Sequence, residues 1–323
     1  MNRVGLVLGG GGITGAAYEI ATLMSLRIAT GWEPNDAEVV VGTSGGAFVS
    51  ALVRNEALNL DSLVLQDDER QHVAERIRDH IFVKGGSRSV ARWLRHGLLP
   101  GVKDPGLTFF LGCPAPYSAE GLADWVVSHV GEEVASSWPD RPTAIVAYDI
   151  VERRRVAFGT EGSPETSIAQ AVAASSAIPM VFHPHEVDGR LYVDGGVVSG
   201  THADLVLGSD RELDLILVLA PMAAEVSRKR ALFHEKMFDR VGNRTLAEEL
   251  QLVQSAWPSA DVVVLSPPPS VQNSMRPNPM DSTRAVPTFM RTLISMKRTL
   301  AEPKVWERLS HHLQPTALRT NRP

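Results

Sequence analysis

The chain has few of the features that would place it outside the cell or across a membrane. Cys113 is the only cysteine in 323 residues. An intrachain disulfide is therefore excluded, and a reducing compartment such as the cytoplasm is the simpler expectation. No apolar run approaches the ~20 residues that span a bilayer, and the opening MNRVGLVLGGGG has no signal-peptide core. The formal net charge of −5 gives no general attraction to nucleic acid.

An obvious set of metal ligands is also missing from the sequence. There is one cysteine, no His-x-x-x-His pair and no Asp- or Asn-rich loop with calcium-binding spacing. We therefore expect neither a metal site nor any other cofactor.

Apolar runs and helical patterns alternate along the chain. The runs Val4–Leu8 and Glu38–Val41 each end in glycines, and helical patterns follow at Ala16–Ile28 and Ala47–Arg54. Further strand candidates are Thr143–Ala147, Arg155–Phe158, Leu191–Val193, Leu215–Leu219 and Val262–Leu265, with helical stretches at Ser118–His129 and Glu165–Ala174. This alternation predicts an α/β fold: a single domain with a mostly parallel central sheet and helices on both faces.

Two stretches differ in composition from the rest of this domain, which we expect to span residues 1–315. Residues 84–117 are rich in Gly, Pro, Arg and aromatics and are interpreted as a candidate lid or insertion. Residues 266–287 carry six prolines, which predicts a long ordered loop before a final helix. Residues 316–323 have no periodicity and are expected to form a disordered tail.

The segment Gly42-Thr43-Ser44-Gly45-Gly46 matches the G-x-S-x-G nucleophile elbow, in which a serine sits on a sharp strand-to-helix turn. The glycines at 42 and 46 would let neighbouring backbone pass close to the serine. The following helix would direct its N-terminal dipole toward developing negative charge. A surface Gly/Ser turn is the alternative, but the flanking strand and helix favour a catalytic Ser44.

A bare backbone at Gly9–Gly12 lies between the first strand and helix. Its consecutive amides can face an anion, as an oxyanion hole requires. Gly10, Gly12 and Gly15 also satisfy G-x-G-x-x-G, so dinucleotide binding is the alternative. A dinucleotide fold would end its second strand near an acidic residue that holds the ribose, whereas here that strand leads into Ser44.

Asp194 follows the apolar run Leu191–Val193 and begins an Asp-Gly-Gly segment. By itself this pattern favours a hairpin turn. With Ser44 upstream, the small Gly195 and Gly196 would instead allow a carboxylate to approach a serine hydroxyl.

A Ser-His-Asp triad of the α/β-hydrolase kind is a further alternative, and His202 is the tempting histidine because it closely follows Asp194. Ser44, however, lies earlier in the chain than the elbow of that fold. The candidate histidines are His183, His185, His202, His234, His311 and His312.

Four motifs together resemble the patatin-like phospholipase family, in their order and spacing. They are GGGGITG at 9–15, GTSGG at 42–46, ASSAIP at 174–179 and DGG at 194–196. The resemblance implies that Ser44 is the nucleophile, Asp194 its base, and Gly10, Gly11 and Gly12 the oxyanion hole. The implied reaction is hydrolysis of a lipid or acyl ester through an acyl-enzyme, without a cofactor. A catalytically silent lipid-binding protein of the same fold is the alternative.

The first loop departs from the family pattern at Thr14, where Arg or Lys is usual. Without that cation a lipid phosphate loses a partner. We therefore expect short acyl esters or neutral lipids to be preferred over anionic phospholipids.

A basic amphipathic stretch lies within residues 84–103. Arg88, Arg92 and Arg95 have no acid among them, and Trp93 falls on an apolar stripe at helical spacing. Such a stretch can contact a lipid interface transiently. A solvated helix packed on the core through Trp93 is the equal alternative.

Overall fold

The computed structural model describes residues 2–58, 70–85, 115–223 and 233–315, without the side chains of residues 70 and 233–244. Within these ranges eight strands form one sheet. The strands are β1 (Val4–Leu8), β2 (Val39–Thr43), β3 (Thr143–Asp149), β4 (Arg154–Phe158), β5 (His185–Val187), β6 (Arg190–Asp194), β7 (Leu215–Leu219) and β8 (Asp261–Leu265).

The sheet is parallel at its centre and antiparallel at one side. Its pairing order is β5-β6-β3-β2-β1-β7-β8, and β4 also pairs with β3. The pairs β3–β2, β2–β1, β1–β7 and β7–β8 are parallel. The pairs β3–β4, β3–β6 and β5–β6 are antiparallel.

Helices cover the sheet and connect its strands. They are α1 (Gly12–Thr30), α2 (Gly45–Arg54), α3 (Arg70–Ile81), α4 (Glu120–Val130), α5 (Glu132–Ala135), α6 (Ile168–Ser175), α7 (Phe233–Ala256), α8 (Pro269–Met275), α9 (Ala285–Thr299) and α10 (Pro303–His312). Short 3-10 helices lie at Pro34–Asp36, Gly195–Val197, Ala203–Gly208 and Ser282–Arg284.

Both faces of the sheet are buried. Successive side chains on a strand point to opposite faces, so each strand contributes to two cores. In β1, Leu6 and Leu8 join a core with α1, α2, α4, α6 and α9. Val7 between them joins the opposite core, which includes Leu246 and Val253 of α7. This arrangement confirms the predicted α/β fold with a mostly parallel sheet and helices on both faces.

The amino ends of β2 and β3 are joined by a buried arginine at the end of α2. Nε of Arg54 donates a hydrogen bond to Oγ1 of Thr143 at 2.9 Å. Its two Nη groups donate to the carbonyl oxygens of Asn35 at 3.0 Å, Ala37 at 3.0 Å and Pro142 at 2.6 Å. Burial lowers the pKa of Arg54 to about 9, so the group is still a cation at neutral pH. We call this set the Arg54 anchor.

The proline-rich segment differs from the long loop that its composition predicts. It forms α8 and a 3-10 helix at Ser282–Arg284, and α9 follows directly. Pro269 occupies the first turn of α8, where a missing backbone N–H costs nothing. The prolines therefore begin a helix here rather than prevent one. Most of the candidate lid at 84–117 and all of the tail at 316–323 lie outside the described residues.

No helix in the described ranges is both long enough and apolar enough to cross a bilayer.

Candidate active site

Ser44 occupies the junction between β2 and α2 with an unusual backbone conformation. Its φ is 54° and its ψ is −121°, a combination that residues other than glycine rarely adopt. Such strain persists only when surrounding structure holds it in place, and it clusters at functional sites. The turn projects the serine from the carboxyl end of the sheet, as the sequence motif predicts.

Two serines at the end of α6 hold this turn by hydrogen bonds: Ser175 is the last residue of the helix, and Ser176 follows it. The amide of Ser44 donates to Oγ of Ser175 at 2.9 Å, and that hydroxyl donates to the carbonyl of Val146 at 2.6 Å. The hydroxyl of Ser176 donates to the carbonyl of Ser44 at 3.1 Å. Sequence reasoning gave these serines no role, although they belong to the ASSAIP motif.

The register of β3 brings Asp194 to Ser44. Thr43, the last residue of β2, pairs with Val146, and the next residue of β3, Ala147, pairs with Asp194. Because β4 pairs with β3 at both positions, it occupies the opposite edge of β3. Strand β6 therefore pairs with the same edge of β3 as β2 does, starting at the residue after the last one that pairs with β2. Ser44 and Asp194 are thus placed at adjoining positions on one edge.

The carboxyl group of Asp194 is buried, with 5% of the residue exposed. Burial raises the pKa of Asp194 to about 6, against smaller opposing effects of the facing Ser44 hydroxyl and of the Gly196 amide. That amide donates to Oδ1 at 2.7 Å. At neutral pH the group is mostly ionised yet can accept a proton more readily than an exposed aspartate.

Close backbone approaches explain why glycine is needed in the predicted supporting turns, as Gly46 and Gly195 show. A Cβ on Gly46 would collide with the carbonyl of Leu8, where β1 passes α2. A Cβ on Gly195 would lie 2.5 Å from the carbonyl oxygen of Val146. Because each contact has space for a hydrogen only, the elbow can approach β1 closely and the Asp194 segment can approach β3 closely.

The glycine-rich loop after β1 lies against the elbow. A Cβ on Gly10 would be 3.4 Å from Cβ of Ser44. The amide of Gly10 donates to the carbonyl of Gly200 at 2.7 Å. The amides of Gly11 and Gly12 have no recorded acceptor in the described ranges of the chain. These two amides, and not that of Gly10, are free to bind an anion.

An apolar pocket opens beside Ser44. Its cavity volume is about 60 Å³, which corresponds to room for about four water-sized groups. No charged side chain is among the described residues that line it, and six of the apolar ones are Phe48, Ile77, Ile81, Leu122, Trp125 and Val172. Trp125 is in ring contact with Phe48, His80 and His129. The pocket is therefore a small apolar cavity that opens at Ser44.

His202 lies near the active-site loop and has a different partner from the one a triad requires. Its Nε2 is 3.2 Å from the carbonyl oxygen of Gly195, and the residue is fully buried. Burial lowers its pKa to about 4. Among the other described candidates, His185 bonds to Gln170 and His312 to Asp261. In the described part of the chain, no histidine is recorded as a hydrogen-bond partner of Ser44 or Asp194.

Glu19 is a buried carboxyl group that sequence analysis did not single out. It lies on α1 below the glycine-rich loop, and neither of its oxygens has a hydrogen-bond partner among the described residues. Burial raises its pKa well above the usual value, while the nearby Gly9 amide lowers it to a smaller extent. Burial therefore favours the neutral form of Glu19 over the ionised form. Its position four residues after Gly15 in an apolar helix is the only sequence signal.

The fold and this geometry define an α/β protein in which a serine on a strained strand-to-helix turn faces a buried aspartate. The model of the family described as patatin-like phospholipase matches residues 6–207, more than half of the chain. The chain belongs to the patatin-like phospholipase family.

Relatives and solved structures extend the comparison. Uncharacterised NTE family proteins of Mycobacterium tuberculosis and Mycobacterium bovis are 30% identical over 213 residues, which is 64% of this chain and 48% of theirs. The chain thus spans about half the length of the curated relatives it matches. VipD from Legionella pneumophila is 15% identical with a TM-score of 0.41, over 92% of this chain and 67% of VipD. Human GIVD cytosolic phospholipase A2 is 13% identical with a TM-score of 0.42, over 96% and 60%.

Proposed function

We propose that the chain is a serine hydrolase that cleaves lipid or acyl esters by a dyad of Ser44 and Asp194. The observation that carries the proposal is a strained Ser44 that faces a buried carboxylate at the mouth of an apolar pocket. Membership of the family supports the same chemistry. Asp194 accepts the proton of the Ser44 hydroxyl while Oγ bonds to the acyl carbon, and a tetrahedral oxyanion forms.

Collapse of that intermediate breaks the ester C–O bond, and the alcohol leaves with the proton held by Asp194. Asp194 then takes a proton from water, whose oxygen attacks the acyl-enzyme. Collapse of this second tetrahedral intermediate breaks the bond between Ser44 Oγ and the acyl carbon, Asp194 returns the proton to Oγ, and the carboxylic acid leaves. A carboxylate is a weak base toward a serine hydroxyl, so stabilisation of the oxyanion must supply much of the rate. Loss of a single donor typically costs ~3–4 kcal/mol.

We assign the oxyanion hole to the amides of Gly11 and Gly12. The sequence-based assignment also included Gly10, whose amide is already used by the Gly200 carbonyl at 2.7 Å. That bond gives Gly10 a positioning role: it ties the glycine-rich loop to the segment that follows Asp194.

The pocket lining favours an uncharged, short acyl group. Thr14, the residue that replaces the usual cation, is fully buried and does not line the pocket. Its hydroxyl therefore cannot substitute for a phosphate-binding group. The preference for short acyl or neutral esters over anionic phospholipids is accordingly part of the proposal.

Cytoplasmic location and transient contact with a membrane surface stay predictions from the sequence. The residues assigned to that contact, Arg88, Arg92, Trp93 and Arg95, lie outside the described residues.

A fluorophosphonate probe and a chromogenic short-chain ester test the proposal on the full chain. We expect the probe to add to Ser44, as located by peptide mass spectrometry, and Ser44→Ala to lose both labelling and turnover. His202→Asn should keep most of the activity, because His202 does not contact the dyad in our mechanism. Circular dichroism of each variant controls for folding.

Two outcomes would overturn the assignment. Failure of the folded wild-type chain to label or to hydrolyse any ester would favour the silent lipid-binding alternative. A folded His202→Asn variant without activity would favour a histidine-dependent mechanism.

A further inference from the structure

Three side chains with metal-ligating groups meet behind the loop that follows Asp194. His202, Asp204 and Glu249 each present one ligand atom, and these atoms lie within 4.8 Å of one another. His202 and Glu249 are buried, and Asp204 is half-buried. They come from the loop, the 3-10 helix at 203–208 and α7, and the proposed ester hydrolysis uses none of them.

His202 has the hydrogen bonding of a metal-ligating histidine. Its Nε2 lies 3.2 Å from the carbonyl oxygen of Gly195, which can only accept, so Nε2 carries the proton. Its Nδ1 then has a free lone pair, and this buried atom has no hydrogen-bond partner in the described ranges. Histidines that bind metals typically donate their second ring N–H to a carbonyl or carboxylate in this way. A cation at Nδ1 would satisfy the lone pair.

The carboxylate of Glu249 is held in place for such a role. Its Oε2 accepts hydrogen bonds from Oγ1 of Thr201 at 2.6 Å and from the amide of Ala203 at 2.9 Å. These bonds fix its orientation from the side of the loop. They correspond to the second layer of contacts that orients ligands around a metal.

Asp204 currently pairs with an arginine. Nη1 of Arg155 donates to Oδ1 at 2.8 Å, and Nη2 donates to Oδ2. The Arg155 side chain is 37% exposed, so it can turn into solvent without leaving a buried charge. Its guanidinium balances part of the negative charge that a metal ion would otherwise balance.

We propose that His202, Asp204 and Glu249 bind one divalent transition-metal ion. In the metal-free protein, the guanidinium of Arg155 supplies a positive charge next to Asp204 instead. One imidazole nitrogen with carboxylate oxygens suits Zn²⁺, Co²⁺ or Mn²⁺ better than Mg²⁺ or Ca²⁺, which prefer oxygen alone. Ligand bonds of about 2.1 Å require separations of at most about 4.2 Å. The ligand atoms of His202, Asp204 and Glu249, which now lie within 4.8 Å of one another, would therefore move slightly closer together when the ion binds.

The bound ion would tie the segment after Asp194 to α7. The expectation of no metal, drawn from sequence spacing, overlooked this set because Glu249 lies on a helix remote in sequence from the other two ligands. The proposal is independent of the proposed hydrolysis, since its test measures binding and stability.

Isothermal titration of the EDTA-treated full chain with Zn²⁺ tests the site, with Co²⁺ absorption as the readout of coordination. We expect one tight site per chain and a metal-dependent rise in Tm, because an ion that binds only the folded state stabilises it. His202→Asn and Glu249→Gln should each weaken binding by ~10-fold or more. Arg155→Gln should tighten binding, because it removes the competing cation.

His311→Ala, on α10, is the matched control for adventitious binding by imidazole and should change nothing. Should His202→Asn fail to fold, Glu249→Gln and Arg155→Gln still test the site, since they shift Kd in opposite directions. Absence of a tight wild-type site, or a Kd that is equal in wild type, Glu249→Gln and Arg155→Gln, would overturn the proposal.

Discussion

At the amino ends of β2 and β3, the buried guanidinium of Arg54 donates hydrogen bonds to three carbonyls and a hydroxyl. At the carboxyl ends of the same strands, Ser44 has a strained φ and Asp194 is a buried carboxylate. Nearby, the two carboxyl oxygens of Glu19 have no hydrogen-bond partner in the part of the chain that the structure describes. Buried polar groups normally find partners, and exceptions call for an explanation. One end of the sheet is thus arranged for stability, and the other keeps costly groups at the proposed site of chemistry.

This comparison predicts that substitutions at the two ends affect different quantities. Changes at the catalytic end should lower turnover with little loss of stability, and changes at the Arg54 anchor should do the reverse. The expected effects below run from the largest to the smallest.

The largest effect is expected for Asp194→Asn. Replacing the base should lower kcat by ~10³-fold or more, because the amide cannot accept the Ser44 proton. The Tm should not fall, since an amide is cheaper to bury than a carboxylate. Steady-state kinetics on a short ester and thermal unfolding measure the two quantities. A large loss of Tm in this variant would mean that Asp194 is primarily structural.

Arg54→Met should have the opposite signature. Removing the guanidinium removes its hydrogen bonds to three carbonyls and to the Thr143 hydroxyl at a buried position, which should lower the free energy of unfolding by about 2–4 kcal/mol. The folded fraction should keep a near-native kcat, as Arg54 lies at the other end of the strands. Urea unfolding measures the loss, with the exposed Arg298→Met as control. A variant that keeps its stability but loses activity would contradict the division.

These two regions also differ in how far sequence could predict them. The elbow at Ser44 and the Asp194 segment carry local motifs, and the alternating apolar runs predicted seven of the strands. Short β5, with three residues, has too little periodicity to be recognised. The Arg54 anchor was not predicted, because three of its four acceptors are backbone carbonyls, which leave no trace in side-chain identity. The same holds for the Gly10 amide, whose partner Gly200 is set by tertiary packing.

Trp125→Ala should change which ester is preferred and so sharpen the description of the catalytic end. Removing the indole enlarges the apolar pocket, so kcat/KM for longer acyl esters should rise relative to short ones by ~10-fold. Nitrophenyl esters of increasing chain length measure the profile. Trp138→Ala is the matched control, because Trp138 packs on the core outside the pocket lining. An unchanged profile in Trp125→Ala would show that acyl chains bind elsewhere.

The smallest effect is expected for Glu19→Met, which should raise the free energy of unfolding by about 1–2 kcal/mol. Burial raises the folded-state pKa of Glu19, so the folded chain holds a proton that the unfolded chain loses above pH ~4.5. The wild type therefore loses stability as pH rises from there toward the folded-state pKa. The advantage of Glu19→Met should therefore grow as the pH rises above about 4.5.

Denaturant unfolding at several pH values measures this difference, with Glu133→Met on exposed α5 as control. An advantage for Glu19→Met that is absent or independent of pH would show that Glu19 has partners and is not a cost to stability.

The central claim is that the buried Asp194 is the base for Ser44, and the pH dependence of kcat/KM tests it most directly. This quantity reports the pKa of essential groups in the free enzyme. Burial raises the pKa of Asp194 to about 6, and the base acts when ionised. We expect kcat/KM to rise with pH to half its plateau near 6, in the wild type and equally in His202→Asn. A midpoint near 4, where burial places His202, or a midpoint that moves in His202→Asn, would contradict the claim.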